Sequence, residues 1–398
     1  MWFGFRGVKI TQFGPMAIGV NTPVGLPFPY FCLHFSVKLF SRHVHYAANV
    51  SFPLNAYLLA IVSAFITTLV SLPLWRKWCF RVGLVDEPGQ RKIHHETIPL
   101  AGGLAIMSGL LIPTVLASVL LYYAGAGNSS TALSPGVGGQ TTALLRSLDG
   151  KAMHLLEYGL NRRAIRLAGI LVGAMGMVLV GLLDDKYELR PRTKFLGQFL
   201  VATIVAAAGV RITLFVHSTI FHYAITILWI LTLINAFNFM DNMNGLCAGL
   251  AAIGAWYFGL IAAADGQYLV ASIAFVAFGA LLGFLPHNFP KARAFLGDAG
   301  SHLLGYVLAV LAILPHFYTP RHPRRWAVLI PLLVLAVPLL DLVWVVALRW
   351  RIGQPFYKGD NNHLSHRIVR LGISPTCAVL IIWLASALAG GLAFVIGM

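Results

Sequence analysis

A chain of 398 residues that is 58% hydrophobic and 11% charged, with a mean hydropathy of +0.78, carries more apolar surface than one water-soluble core can hide. The formal charge of +16 would suit nucleic acid in a soluble protein; beside long apolar runs, basic residues instead report membrane orientation and contact with anionic lipid or substrate, which excludes nucleic acid as a partner. Cys32, Cys79, Cys247 and Cys377 are far apart and lack metal-ligand spacing, so they exclude a disulfide framework and a zinc centre.

Only helices and closed barrels satisfy backbone polar groups inside a bilayer, and these apolar runs are continuous rather than alternating. The expected fold is therefore all-α, a polytopic integral membrane protein with about ten transmembrane helices and an active site formed by cytoplasmic loops. Residues 1–50, with Pro23, Pro27 and Pro29, are set apart as an N-terminal extension, a flexible tail or a partial extra span. A membrane-embedded domain follows over residues 51–398. Within it the apolar pattern predicts spans at 54–73, 99–123, 165–183, 195–209, 220–236, 245–263, 268–286, 300–314, 326–348 and 376–397. The Gly/Ser/Thr-rich segment from 124 opens an external loop insert over 124–164, whose later part, ALLRSLDGKAMHLLEYGL, is amphipathic and suited to the membrane surface.

Ten spans place alternate loops on opposite faces. One face carries 16 of the 29 Lys and Arg residues and the other carries 8, so the first is assigned to the cytoplasm. Every polar cluster borders that basic face. In chain order the first is GLVDEPGQRKIHHETIPLAGG, a turn that becomes basic at Arg91 and Lys92; alone it is an ordinary charged anchor. Next, GMVLVGLLDDKYELRPRTK ends an apolar run on Asp184 and Asp185. A helix C-terminus, a negatively charged leaflet and each other all oppose these two carboxylates. Nearby Lys186, Arg190, Arg192 and Lys194 could compensate them, or a divalent cation could, with the pair as ligand or base.

LINAFNFMDNMNGL sets Asn235, Asn238, Asp241 and Asn244 at steps of three, along one side of a helix or one edge of a broken turn; helix-to-helix glue is the alternative. In AFLGDAGSHLLG, Asp298 precedes a helical run between Gly297 and Gly300, either as an N-cap or beside a phosphate that the glycines let approach. YKGDNNHLSHRIVRLG places His363 and His366 near Lys358, Arg367 and Arg370, a weak zinc pattern and a better phosphate site, with a lipid-headgroup anchor as the alternative. No Walker A or GxGxxG pattern occurs. Carboxylates, amides and cations at one membrane edge suit a magnesium-dependent reaction between two phosphates, one of them on a lipid.

From about residue 54 to 397 the chain resembles the polyprenyl-phosphate N-acetylhexosamine-1-phosphate transferases, glycosyl transferase family 4. The five quoted motifs stand in that family's order, one to each basic loop. The resemblance implies transfer of a sugar-1-phosphate from a UDP-N-acetylhexosamine to undecaprenyl phosphate with release of UMP, at the inner membrane and with the active site facing the cytoplasm. It further implies that Asp298 and Asn238 hold Mg2+, for which Mn2+ can substitute, and that Asp184 and Asp185 act as base and metal-side carboxylate in an order left open. Asp241 and Asn235 would line the nucleotide-sugar pocket, Phe295 would lie near the uracil, and Lys92, His363, His366 and Arg367 would address phosphates. A homodimer is compatible with it.

Asn244 stands where many members carry an aspartate, and Ser365 interrupts a histidine run. The second departure points to the branch that transfers GlcNAc-1-phosphate, at the start of O-antigen, enterobacterial common antigen or teichoic acid linkage synthesis. The phospho-MurNAc-pentapeptide transferases are the alternative within the family. A transporter of anionic lipid or nucleotide is the alternative outside it, disfavoured because the polar residues gather at one end instead of the midplane.

Overall fold

Leu58, Val62, Ile66, Val70 and Leu74 recur every four residues along the first helix, α1 (Leu54–Val82), and all are exposed. Spacing of four keeps them on one face, and such a stripe is stable against hydrocarbon but not against water. The computed structural model describes residues 52–88, 96–127, 150–213, 216, 218–315, 325–355 and 362–397. The N-terminal extension, Lys92 and most of the external loop insert lie outside them.

After α1 the chain makes a short antiparallel pair, β1 (Val85–Asp86) and β2 (Ile98–Pro99), with Val85 opposite Pro99 and Asp86 opposite Ile98. Then follow α2 (Gly102–Gly127), α3 (Gly150–Tyr187), α4 (Pro191–Ala207), α5 (Thr219–Met240), α6 (Leu246–Ala264), α7 (Tyr268–Phe284) and α8 (Gly297–Ile313). The short α9 (Ile330–Val334), α10 (Ala336–Arg351), α11 (Leu364–Arg370) and α12 (Pro375–Gly397) complete the chain. The fold is all-α and polytopic.

Each of the ten predicted spans falls on helix, though not every such helix among the described residues has the length and hydropathy of a full membrane crossing. Among the described residues seven helices are long and apolar enough, or eight if a bent pair is one span. The predicted spans at 195–209 and 300–314 are α4 and α8, of 17 residues each, about 25 Å long and short of a hydrocarbon layer of about 30 Å. The predicted span at 326–348 is broken: Ala327–Val334 and Ala336–Arg351 meet at 73°. Pro338 has no N–H to offer the Val334 carbonyl, so the helix restarts there. Helix α3 begins at Gly150, inside the expected external insert, and its 38 residues outrun the apolar stretch Arg163–Tyr187.

Buried residues concentrate in α6, α7 and α8, whereas α1, α2, α3 and α12 present apolar faces outward. The start of α8 is held between two backbones. A side chain at Gly181 of α3 would strike the Ala299 and Asp298 backbone, and one at Gly103 of α2 would strike Gly300. Helices that approach this closely need a residue without Cβ at the contact. That contact brings the C-terminal end of α3 to the N-terminal end of α8.

Candidate active site

Asp184 and Asp185 lie in the last turn of α3, and Asp298 in the first turn of α8. The helix start is tight, with Gly297 at φ +70, a conformation that disfavours any residue bearing a Cβ. Asp298 does not cap its own helix. The two carboxylate oxygens of Asp185 do so from outside: the Asp298 N–H donates to Oδ1 at 2.7 Å and the Ala299 N–H to Oδ2 at 3.0 Å. A carboxylate at a helix N-terminus meets unpaired N–H groups and the positive end of the dipole together. Asp185 thereby fixes where Asp298 sits.

Asp184 turns the other way. Its Oδ2 is 2.7 Å from the Lys194 Nζ, and the same ammonium lies 3.2 Å from Asp298 Oδ2. Asp184 Oδ1 also accepts the Leu189 N–H at 2.9 Å, which folds the short connection back so that Lys194, in the first turn of α4, reaches the acids. On the far side Asn238 of α5 donates from Nδ2 to Asp298 Oδ1 and to Ser301 Oγ. One turn earlier Asn235 donates to Gln198 Oε1 at 3.1 Å, and the Gln198 amide lies 3.3 Å from the His302 ring. Asp184, Asn238, Asp298 and, through Gln198, Asn235 are thus brought into one connected group.

Asp241 caps the C-terminal end of α5. Surrounding protein that displaces water pushes its carboxyl up to about 8, and the charges of Asp298 and Asp185 add to the shift. Asn244 instead donates to the Pro290 carbonyl at 3.2 Å, which gives it a structural task. Phe295 lies on the strand-like approach to α8: its N–H donates to the Pro99 carbonyl and its own carbonyl accepts from Gly102.

The histidine segment forms a second group against the same end of α5. His363 is buried, its Nδ1 2.7 Å from Asp341 Oδ2, and Asp341 Oδ1 accepts the Leu364 N–H. Its ring meets Phe239 at 5.5 Å between centroids, while Ser365 donates to Asn242 Oδ1 at 2.7 Å. Asn238 therefore faces the aspartates while Phe239 and Asn242 face the histidines. The Arg367 guanidinium lies over the Trp344 ring at 4.6 Å, and the His366 ring is 6.5 Å from that of His363.

Sequence reasoning passed over Gln198, His302 and Asp341. Two of them carried a signal: His302 lies four residues after Asp298, hence on the same helix face, and Asp341 is an acid within an apolar run, where an ionisable group is rarely idle.

Could these residues hold a divalent ion? Asp184, Asp298 and His302 each offer a ligand atom, all within 4.8 Å of one another. Four carboxylates, Asp184, Asp185, Asp241 and Asp298, share this end of the bundle, and Lys194 is the cation ion-paired with them among the described residues. Oxygen donors in excess of positive charge fit a hard ion such as Mg2+.

The fold and site define a multi-pass membrane protein whose acids converge on one point at the end of the bundle. The family model described as glycosyl transferase family 4 matches residues 167–316, which take in Asp184, Asp185, Asp298 and all of α5. The chain is 31% identical over 343 residues to a probable undecaprenyl-phosphate N-acetylglucosaminyl 1-phosphate transferase of Bacillus subtilis (strain 168), taking in 83% of each chain. It is 33% identical over 355 residues to a decaprenyl-phosphate N-acetylglucosaminephosphotransferase of Mycobacterium tuberculosis (strain ATCC 25618 / H37Rv), covering 82% of this chain and 79% of that one. An undecaprenyl-phosphate alpha-N-acetylglucosaminyl 1-phosphate transferase of Escherichia coli (strain K12) is 27% identical over 350 residues, 82% of this chain and 80% of that one. The chain belongs to glycosyl transferase family 4.

Proposed function

We propose that this protein transfers GlcNAc-1-phosphate from UDP-GlcNAc to undecaprenyl phosphate and releases UMP. The observation that carries the reading is the meeting of Asp184, Asp298, Asn238 and Lys194, from four helices, at one end of a membrane bundle. The names of the relatives support the acceptor and the sugar.

In this reading Asp184, Asp298 and Asn238 would hold Mg2+, which would supply positive charge that lowers repulsion between two phosphate-bearing substrates. Lys194 contributes a fixed positive charge beside the same phosphates. Asp185, with both oxygens on backbone N–H groups, is a positioning residue, so Asp184 is the member of the pair that meets substrate or ion. An oxygen of the lipid phosphate attacks the β-phosphorus, the bond from that phosphorus to the bridging oxygen breaks, and UMP leaves with the electron pair. The second ionisation of a phosphate monoester lies near pH ~6, so most acceptor arrives fully ionised. His363, held by Asp341, and Arg367 lie on the side of α5 that would face the nucleotide phosphates.

Local charge supports a cytoplasmic orientation in this reading: Lys186, Arg190, Arg192 and Lys194 follow directly on Asp184 and Asp185. The test is purified protein with labelled UDP-GlcNAc and undecaprenyl phosphate. Magnesium-dependent UMP release, abolished by chelation and restored by added Mg2+, is expected. No UMP from any UDP-N-acetylhexosamine overturns the reading in favour of transport, and release only from UDP-MurNAc-pentapeptide reassigns the donor.

A further inference from the structure

The far end of the bundle holds a cavity of about 740 Å³ among α3, the α4–α5 connection, α7 and the C-terminal end of α8. Arg166 of α3 lies 18 residues before Asp184, about 27 Å along the helix axis. That distance approaches the thickness of a hydrocarbon layer, about 30 Å, so the cavity and the aspartates belong to opposite membrane faces. Three arginines, Arg163, Arg166 and Arg211, line it, and among the described residues no Asp or Glu does. Arg166 packs its side chain on Gly209, whose φ of +94 lets the chain turn beneath it, and Arg211 stacks over the Tyr223 ring at 5.0 Å. Both are thereby held against the cavity wall.

A second chamber of about 260 Å³ adjoins the first, the two sharing Leu167, Ile170, Leu269 and Ile273 as a common wall. Its walls are apolar apart from four hydroxyls, and each of these donates to a carbonyl of its own helix: Ser63 to Ala60, Thr114 to Leu110, Ser118 to Thr114 and Ser272 to Tyr268. A chamber whose hydroxyls are already engaged suits hydrocarbon rather than water.

We propose that this end of the protein binds an anionic phospholipid of the leaflet opposite the aspartates, its phosphate on Arg166 and Arg211 and one acyl chain in the adjoining chamber. Guanidinium groups offer forked donors to phosphate oxygens and carry the charge complementarity. The apolar chamber explains why the ligand is an amphiphile and not a free ion. The proposal is independent of the transferase reading.

Native mass spectrometry of the full-length protein, with phosphatidylglycerol or phosphatidylcholine added, tests it. Wild type is expected to retain phosphatidylglycerol in preference. The double variant Arg166→Gln/Arg211→Gln should bind it about thirtyfold more weakly. Ala117→Phe, which enters the chamber from α2, should weaken a long-chain phosphatidylglycerol while sparing a short-chain one. Equal retention of the two lipids by wild type, or unchanged retention in the double variant, overturns the proposal. Displacement by millimolar inorganic phosphate with Ala117→Phe unaffected also overturns it, assigning the arginines to free phosphate.

Discussion

Replacing Asp185 with asparagine separates positioning from chemistry. Both carboxylate oxygens accept backbone N–H groups, from Asp298 at 2.7 Å and Ala299 at 3.0 Å. Asparagine keeps one acceptor and turns an NH2 toward the other N–H, donor against donor. Losing one charge-assisted hydrogen bond costs about 1.5–3 kcal/mol, and losing the anion at a helix N-terminus about 0.3–1 kcal/mol more. Relief of repulsion with neighbouring Asp298 offsets part, leaving a net of about 2 kcal/mol against the placement of Asp298. If all of it enters the barrier, UMP release falls about thirtyfold. Asp298→Asn, which removes a group that meets the ion, should fall by at least about a thousandfold, the scale of losing a key electrostatic contact. The assay is UMP release by each purified variant at saturating Mg2+, with thermal unfolding measured alongside. Equal losses in the two variants, with an unchanged unfolding midpoint for Asp185→Asn, would refute the positioning role and make Asp185 a direct participant.

Lys194→Met keeps the aliphatic stem and removes the ammonium that joins Asp184 to Asp298; turnover should drop at least about a hundredfold, and activity within threefold of wild type would reduce Lys194 to a bystander. Gly181→Ala sets a methyl against the Ala299 backbone, an overpacking of about 1–3 kcal/mol, and should lower both the unfolding midpoint and activity; an unshifted midpoint would contradict the close helix contact. For Asp241 the folded pKa, about 8, exceeds the unfolded value of about 3.9. The group therefore destabilises the fold increasingly as pH rises between those values. Asp241→Asn should raise the unfolding midpoint more at pH 8 than at pH 5 in the absence of divalent ions, and Mg2+ should shrink the difference; the opposite pH trend would exclude a raised pKa.

The motif aspartates and asparagines were legible because a membrane chain with 13 acidic residues has few reasons to place them beside apolar runs. Their division of labour was not. Asp298 reads as an N-cap from its local sequence, yet its helix is capped by Asp185, 113 residues earlier in the chain. Lys194 reads as one of four nearby cations, yet it is the one that bridges Asp184 and Asp298. Span counting located the helices, while among the described residues seven or eight have the length of a full crossing, since hydropathy does not register that α4 and α8 stop at 17 residues or that Pro338 follows a sharp bend.

By itself the sequence determined that the chain is a helical membrane protein, since hydrocarbon offers no partner for backbone polar groups and each segment must satisfy them internally. It also singled out Asp184, Asn238 and Asp298 as polar residues placed beside apolar runs. Only tertiary structure decided which carboxylate meets which cation, because those pairings depend on how closely two helices approach. That approach is set by side chains missing at Gly103 and Gly181, whose partners lie far away along the chain.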